Sequence, residues 1–372
     1  MEFGIFIQGY TPGFRRDAEA DAEHNVMMEE IEAVVAADKA GFKYVWITEH
    51  HFLDEYSHLS ANDVWAGYFA AATERIHIGS GIFNPLPQVN HPAKVAERVA
   101  TLDHLTQGRF EFGTGRGAGS HEILGFLPGI EDTTETRAIW EDVIGEFPKM
   151  WLQDEYEGYD GQFWSLPPRK VLPKPWKKAH PPMWYAAGNT SSYAMAARRG
   201  LGVLGFSVGD LEMMAPVCEA YKNEIPNAEP VGAYVNDNIM VTSAAFVKED
   251  GRAAAQSAVD ARLSYLQSNV FRYHDTFPHP EEVPYWPELI PDYDVETVEG
   301  MASIGAMVCG DPDQALEQCK RWEAAGADQL VFGIGCASKE DTLEMIRLMG
   351  EHVIPKIDTD PVHRTTRQRE SA

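Results

Sequence analysis

The sequence predicts a single (β/α)8 barrel with insertions, on three observations. Short β-rich runs alternate with longer amphipathic stretches almost from end to end, the pattern of a parallel α/β fold. Eight such runs are present. Spread over about 350 residues, eight strand-helix units fit one barrel better than two doubly wound halves, and an open Rossmann sheet is the second choice.

The strands are expected at 3–8, 44–48, 76–82, 110–113, 183–187, 203–206, 234–247 and 329–333, each rich in β-branched or aromatic residues. Helices fall between them. In 27–40 the apolar period runs through Ile31, Val34 and Val35 and breaks only at Asp38, while 92–105 opens on Pro92. Gly41, Gly200 and Gly326 follow such helices directly, where a residue at φ > 0 ends the helix.

Two insertions interrupt the pattern. At 156–175, Tyr159, Phe163 and Trp164 flank a glycine turn and suggest a hairpin; 273–294 carries many prolines and aromatics and suggests a lid or a disordered segment. The barrel is expected to span 1–357 as one domain, leaving 358–372 as a flexible polar tail with three arginines.

Composition narrows the function. A net charge of −26, from 57 acidic and 31 basic residues, disfavours nucleic acid and anionic membranes as partners, since both demand a basic face. The N-terminus has no basic leader and the longest apolar run, Val64 to Ala72, is too short to span a bilayer. A cytoplasmic protein is expected, with its four cysteines as reduced core thiols, because no CxxC or fixed spacing suggests a disulfide framework.

The densest polar cluster, Thr48-Glu49-His50-His51-Phe52, directly follows the apolar run Tyr44-Val45-Trp46-Ile47. Strand C-termini open onto the active site of a barrel, so His50 stands where a general acid or base is useful. Loop residues that merely satisfy one another would read the same way. His51, Glu55 and His58 share one helical face at i, i+4 and i+7, yet HExxH and HxxEH are absent and no metal is expected. A metal-dependent hydrolase is disfavoured further because strand one ends in Gln8-Gly9-Tyr10 and not in His-x-His.

After strand four comes Phe112-Gly113-Thr114-Gly115-Arg116-Gly117-Ala118-Gly119-Ser120. Its glycines either make a tight turn or let backbone N–H groups approach an anion, to which Arg116 adds a planar donor. It is neither a P-loop nor GxGxxG in any register. Gly188, Asn189 and Ser192 sit between strand five and its helix, where they cap the helix or meet a phosphate. Strand three ends in Ile78-Gly79-Ser80-Gly81-Ile82, whose glycines mark a close backbone approach or a barrel bend.

Together these motifs resemble the bacterial luciferase-like flavin-dependent monooxygenase family. The resemblance runs through Phe3-Gly4-Ile5-Phe6, the Val45 to Phe52 block, His91-Pro92, the block from Leu102-Asp103-His104-Leu105 through Gly108-Arg109-Phe110-Glu111-Phe112-Gly113, and Gly310-Asp311-Pro312. It implies a barrel whose top face holds reduced flavin, dimerising through helices of the early units. Carried over by position, His50 is the catalytic acid or base and Arg116 binds the flavin phosphate. Gly188, Asn189 and Ser192 match the second phosphate loop, and Gly81-Ile82 matches a non-prolyl cis peptide beside the flavin ring. One residue departs: Gly115 stands where luciferase has a reactive cysteine, so light emission and an aldehyde substrate are not implied.

The resemblance therefore implies a two-component monooxygenase. A separate reductase supplies reduced FMN, O2 is the oxidant, and the partner molecule is a bulky, largely apolar substrate under the 273–294 lid. A homodimer is expected. A 5-deazaflavin coenzyme exchanging hydride with an alcohol or enone is the alternative. A non-catalytic flavin-binding barrel is a third reading, disfavoured by His50 beside an intact phosphate loop.

Overall fold

The computed structural model describes residues 1–176, 179–206, 209–273 and 289–372. Among them eight parallel strands run in chain order around a barrel: β1 (Glu2–Ile7), β2 (Tyr44–Ile47), β3 (His77–Ser80), β4 (Phe110–Thr114), β5 (Met183–Ala187), β6 (Gly202–Gly205), β7 (Ile239–Val247) and β8 (Gln329–Gly333). The ring closes where β6 pairs with β7 and β8 with β1. The strands match expectation to within one or two residues except β7, which begins at Ile239 instead of 234. The reason lies in two buried asparagines. The Asn236 amide donates to Met183 O at 3.1 Å and that of Asn238 to Asn236 Oδ1 at 2.6 Å, and such side chains compete with a regular ladder.

The barrel interior explains two glycines. Trp46 on β2 and Trp184 on β5 are fully buried and meet edge to face with centroids 5.1 Å apart. Their register partners are Gly79 and Gly202, and a Cβ at either would come within 2.3 Å or 2.5 Å of the neighbouring indole. Gly79 is therefore required by Trp46, not by a ligand or a bend. Phe6, Tyr44, Leu204, Met240 and Val331 complete this inner layer.

Outside, helices such as Ala22–Ala40 and Pro92–Leu105 bury one face against the wall. The helices before Gly41, Gly200 and Gly326 do end there, at φ of 95°, 66° and 99°. A short strand, Val308–Gly310, pairs with the far end of β7 and has no counterpart among the expected strands. The expected hairpin is present at Tyr159–Asp160 and Ser165–Leu166, pinned by Asp142, which accepts from Tyr159 Oη at 2.6 Å and from Phe163 N at 3.0 Å. The four cysteines are free thiols. Among the described residues no helix is long and apolar enough to cross a membrane.

The 273–294 segment falls largely outside the described residues, although Tyr273 ends the helix Leu263–Tyr273 and 289–294 lead into the helix Val295–Ile304. The 358–372 segment differs from a flexible tail: Arg364–Glu370 form a helix packed across the N-terminal ends of the strands. Two of its arginines pair with the barrel, while the exposed Arg367 pairs with Asp360 of the same segment. Arg369 makes two 2.7 Å hydrogen bonds to the fully buried Asp103, and Arg364 reaches Asp328 at 2.6 Å and Asp237 at 2.8 Å.

Candidate active site

The loop after β2 carries the Glu-His-His-Phe block and is fixed at each of its polar residues. Buried Glu49 accepts from Asn84 N at 3.1 Å, from Asn90 Nδ2 at 3.0 Å and pairs with His51 Nε2 at 3.2 Å, tying this loop to the one after β3. Burial disfavours a charged His51, but the Glu49 hydrogen bond and charge outweigh it and raise the imidazole pKa. His50 donates its backbone N–H to Leu59 O at 2.9 Å, and its ring lies 5.3 Å from that of Tyr56. Its Nδ1 is 3.1 Å from Glu122 Oε2.

The strand register gathers the other expected residues on the same rim. Gly81 follows β3, donates to Ile47 O at 2.7 Å, and joins Ile82 through a cis peptide bond, as the family resemblance implies. Asn62 Nδ2 holds Ile82 O at 3.0 Å. Thr114 on β4 pairs with Tyr185 on β5, so Arg116 and Gly188 leave neighbouring strands just beyond that level. Arg116 spends Nη1 on Thr133 O at 3.1 Å and Thr136 Oγ1 at 3.0 Å. Asn189 and Ser192 form a reciprocal cap on the helix Thr190–Arg198: Asn189 Oδ1 accepts from Ser192 N at 3.0 Å and Ser192 Oγ from Asn189 N at 3.2 Å. At Gly115 a Cβ would lie 2.8 Å from Ile82 Cδ1 and 3.3 Å from Ala186 Cβ, so Ile82 fills the space a longer side chain would take.

His51, Glu55 and His58 do not converge. Glu55 accepts from Tyr265 Oη at 3.0 Å, while His58 pairs with Glu23 at 2.9 Å and Asp54 O at 2.8 Å. Among the described residues no three His, Cys, Asp or Glu side chains group as a metal site.

The other half of the barrel mouth is a cavity of about 340 Å³ between β1, β6, β7, β8 and the helices Leu263–Tyr273 and Val295–Ile304. Phe6, Phe206, Leu266, Val270 and Met301 make its wall apolar, with Gln8 among the few polar groups. No Asp, Glu, Lys, Arg or His is among its described lining residues. None of the seven expected site residues lines it either. Phe6 joins the halves, its ring edge 3.4 Å from where a Cβ on Gly81 would stand.

Sequence reasoning missed Glu122. It lies in the helix Gly119–Phe126, 72 residues from His50, where no local spacing links the two. The available signal was an acidic residue three positions after the last glycine of the glycine-rich turn.

A profile of the luciferase-like monooxygenases matches residues 1–329. The chain is 25% identical over 382 residues to the oxygenase component of a flavin-dependent trigonelline monooxygenase from Acinetobacter baylyi, covering 98% of each. It is also 25% identical over 359 residues to an F420-dependent glucose-6-phosphate dehydrogenase from Amycolatopsis mediterranei, covering 91% of this chain and 97% of that one. In fold it is similar to the oxygenating constituent of 3,6-diketocamphane monooxygenase from Pseudomonas putida, a type II Baeyer-Villiger enzyme in complex with FMN. There the TM-score is 0.73 at 18% identity, over 96% of this chain and 99% of that one. With the closed barrel, the ordered motifs and a family match spanning all but the last units, the chain belongs to the luciferase-like monooxygenase family of oxidoreductases.

Proposed function

We propose that the chain is the oxygenase component of a two-component monooxygenase, acting with reduced FMN from a separate reductase and O2 on a bulky, uncharged, largely apolar small molecule. The observation that carries this reading is the position of Arg116 and the start of the helix Thr190–Arg198 on neighbouring strands, beside exposed Ala186 and half-buried Gly81 and Ile82. That donor set fits a phosphate: a guanidinium and a helix N-terminus both favour an anion, and the charge-assisted contact to Arg116 is worth roughly 1.5–3 kcal/mol. The accessible edge over Gly81, Ile82 and Ala186 suits the ring system. When bound, reduced FMN supplies the two electrons that, with O2, give oxygenated substrate and water.

The chain's own residues do the rest. His50, held from its Nδ1 side by Glu122, takes or returns the proton. The cavity wall binds the substrate and excludes water, and its lack of charged side chains among the described residues selects neutral molecules. The A. baylyi relative, named as an oxygenase component, supports the reductase partner. A homodimer is supported by Val64 and Tyr68, 69% and 53% exposed at i and i+4 on the helix Asn62–Ala72. Four unpaired thiols favour the cytoplasm. A deazaflavin coenzyme is the second reading, favoured by the F420-dependent relative.

Titration of the purified protein with reduced FMN, oxidised FMN and deazaflavin coenzyme, followed by fluorescence, separates these readings. Reduced FMN is expected to bind tightest. Binding of deazaflavin alone would replace the cofactor, and binding of none would overturn the function.

A further inference from the structure

Glu122 is 2% exposed, and its carboxylate is fully committed to the catalytic side of the rim. Oε2 receives His50 Nδ1 at 3.1 Å and the backbone N–H of His51 at 3.1 Å, while Oε1 receives the N–H of Ala118 at 3.4 Å. Burial alone would raise the pKa of this carboxyl, but the hydrogen bond and charge of His50, with the His51 N–H, prevail and hold it below the ordinary carboxylate range. An ionised carboxylate can only accept hydrogen bonds. His50 Nδ1 must therefore carry its proton, and in the neutral ring Nε2 is left as the basic nitrogen.

The same side chain ties two motifs together. Ala118 lies two residues after Arg116 in the glycine-rich turn, and a Cβ on Gly117 would stand 3.4 Å from Glu122 Oε1. The turn that carries Arg116 and the block that carries His50 are thus latched through one carboxylate. By contrast, Glu49 serves His51 and the loop after β3.

We propose that Glu122 is the positioning residue of the site: it fixes His50 as the Nδ1–H tautomer, with Nε2 as the working nitrogen, and couples that choice to the turn bearing Arg116. This rests on the reading of His50 as the acid or base, but its test does not depend on turnover. In ¹⁵N-labelled protein, the His50 ring is identified by the signal lost in His50→Gln, and its tautomer is read at alkaline pH from the Nδ1 and Nε2 shifts. Wild type is expected to show the Nδ1–H form. In Glu122→Gln the ratio of Nδ1–H to Nε2–H should fall roughly tenfold, the change expected when a charge-assisted hydrogen bond becomes a neutral one. Glu122→Asp should restore part of it, and reduced FMN affinity should change less than Arg116→Ala changes it. An Nε2–H ring in wild type, or a ratio unchanged in Glu122→Gln and Glu122→Ala, overturns the proposal. Failure of wild type to bind any flavin would instead overturn the functional reading and leave the tautomer result standing.

Discussion

Each end of the barrel holds a histidine hydrogen-bonded to a glutamate, and the two pairs do opposite things. At the C-terminal mouth His50 meets Glu122 at 3.1 Å; at the N-terminal floor His77 on β3 meets Glu111 on β4 at 2.7 Å. The floor pair is sealed. Glu111 also accepts from Trp184 Nε1 at 2.8 Å and Thr365 Oγ1 at 2.6 Å, and His77 stacks on His363 with centroids 3.7 Å apart. Burial pushes Glu111 up to about 8 and His77 down to about 3, so the floor holds a neutral pair. At the mouth the balance reverses, and Glu122 is held ionised by its partners. A carboxylate beside a histidine thus stays ionised where hydrogen-bond donors and charge prevail over burial, and turns neutral where burial prevails. Under a helix it is part of the floor.

The sharpest way to break this comparison is to delete the mouth histidine. His50→Ala should lower substrate oxygenation by roughly 10²–10⁴-fold, the range for losing a general acid or base, with reduced FMN affinity retained. Turnover equal to wild type would remove His50 from the chemistry. On the floor, Asp103→Ala leaves Arg369 buried without its partner and should cost about 3–5 kcal/mol in urea unfolding, with flavin affinity of the native protein unchanged. A loss below about 1 kcal/mol would mean that the C-terminal helix is not part of the folded unit.

Smaller effects sharpen the contrast. Arg116→Ala should weaken reduced FMN by roughly ten- to a hundredfold in a fluorescence titration, because one charge-assisted contact is lost. The smallest effect concerns pH. Glu111, raised from 4.5 to about 8, is protonated in the fold where the unfolded chain is ionised, so its stabilisation is full below 4.5 and is lost as pH rises through 8. His77, lowered from 6.5 to about 3, contributes above 6.5 and loses that contribution as pH falls toward 3. Glu111→Gln should therefore flatten the fall in melting temperature between pH 6 and pH 9, and an unchanged slope would refute the neutral floor.

Much of this was legible in one dimension. Strand positions, the helix ends at Gly41, Gly200 and Gly326, and the location of the Glu-His-His-Phe block at the end of β2 all follow from local periodicity and backbone preference. The same signals place Arg116 and the Asn189–Ser192 cap at the ends of β4 and β5. Since parallel barrel strands all point their C-termini one way, locating each strand end is enough to place those residues on a common rim.

What the sequence could not determine is who pairs with whom across long separations. Glu122 reaches His50 from 72 residues away, and Arg369 reaches Asp103 from 266. Three arginines in a polar terminal segment look solvated when read alone, because charge runs normally are. Only the closed barrel, by bringing Asp103, Asp237 and Asp328 to one end, gives that segment acidic partners and a floor to cover. Periodicity is a property of neighbours along the chain and fixed the barrel and its rim. Desolvation and ion pairing are properties of neighbours in space, and they decided which end became a sealed floor and which an open mouth with an ionised carboxylate.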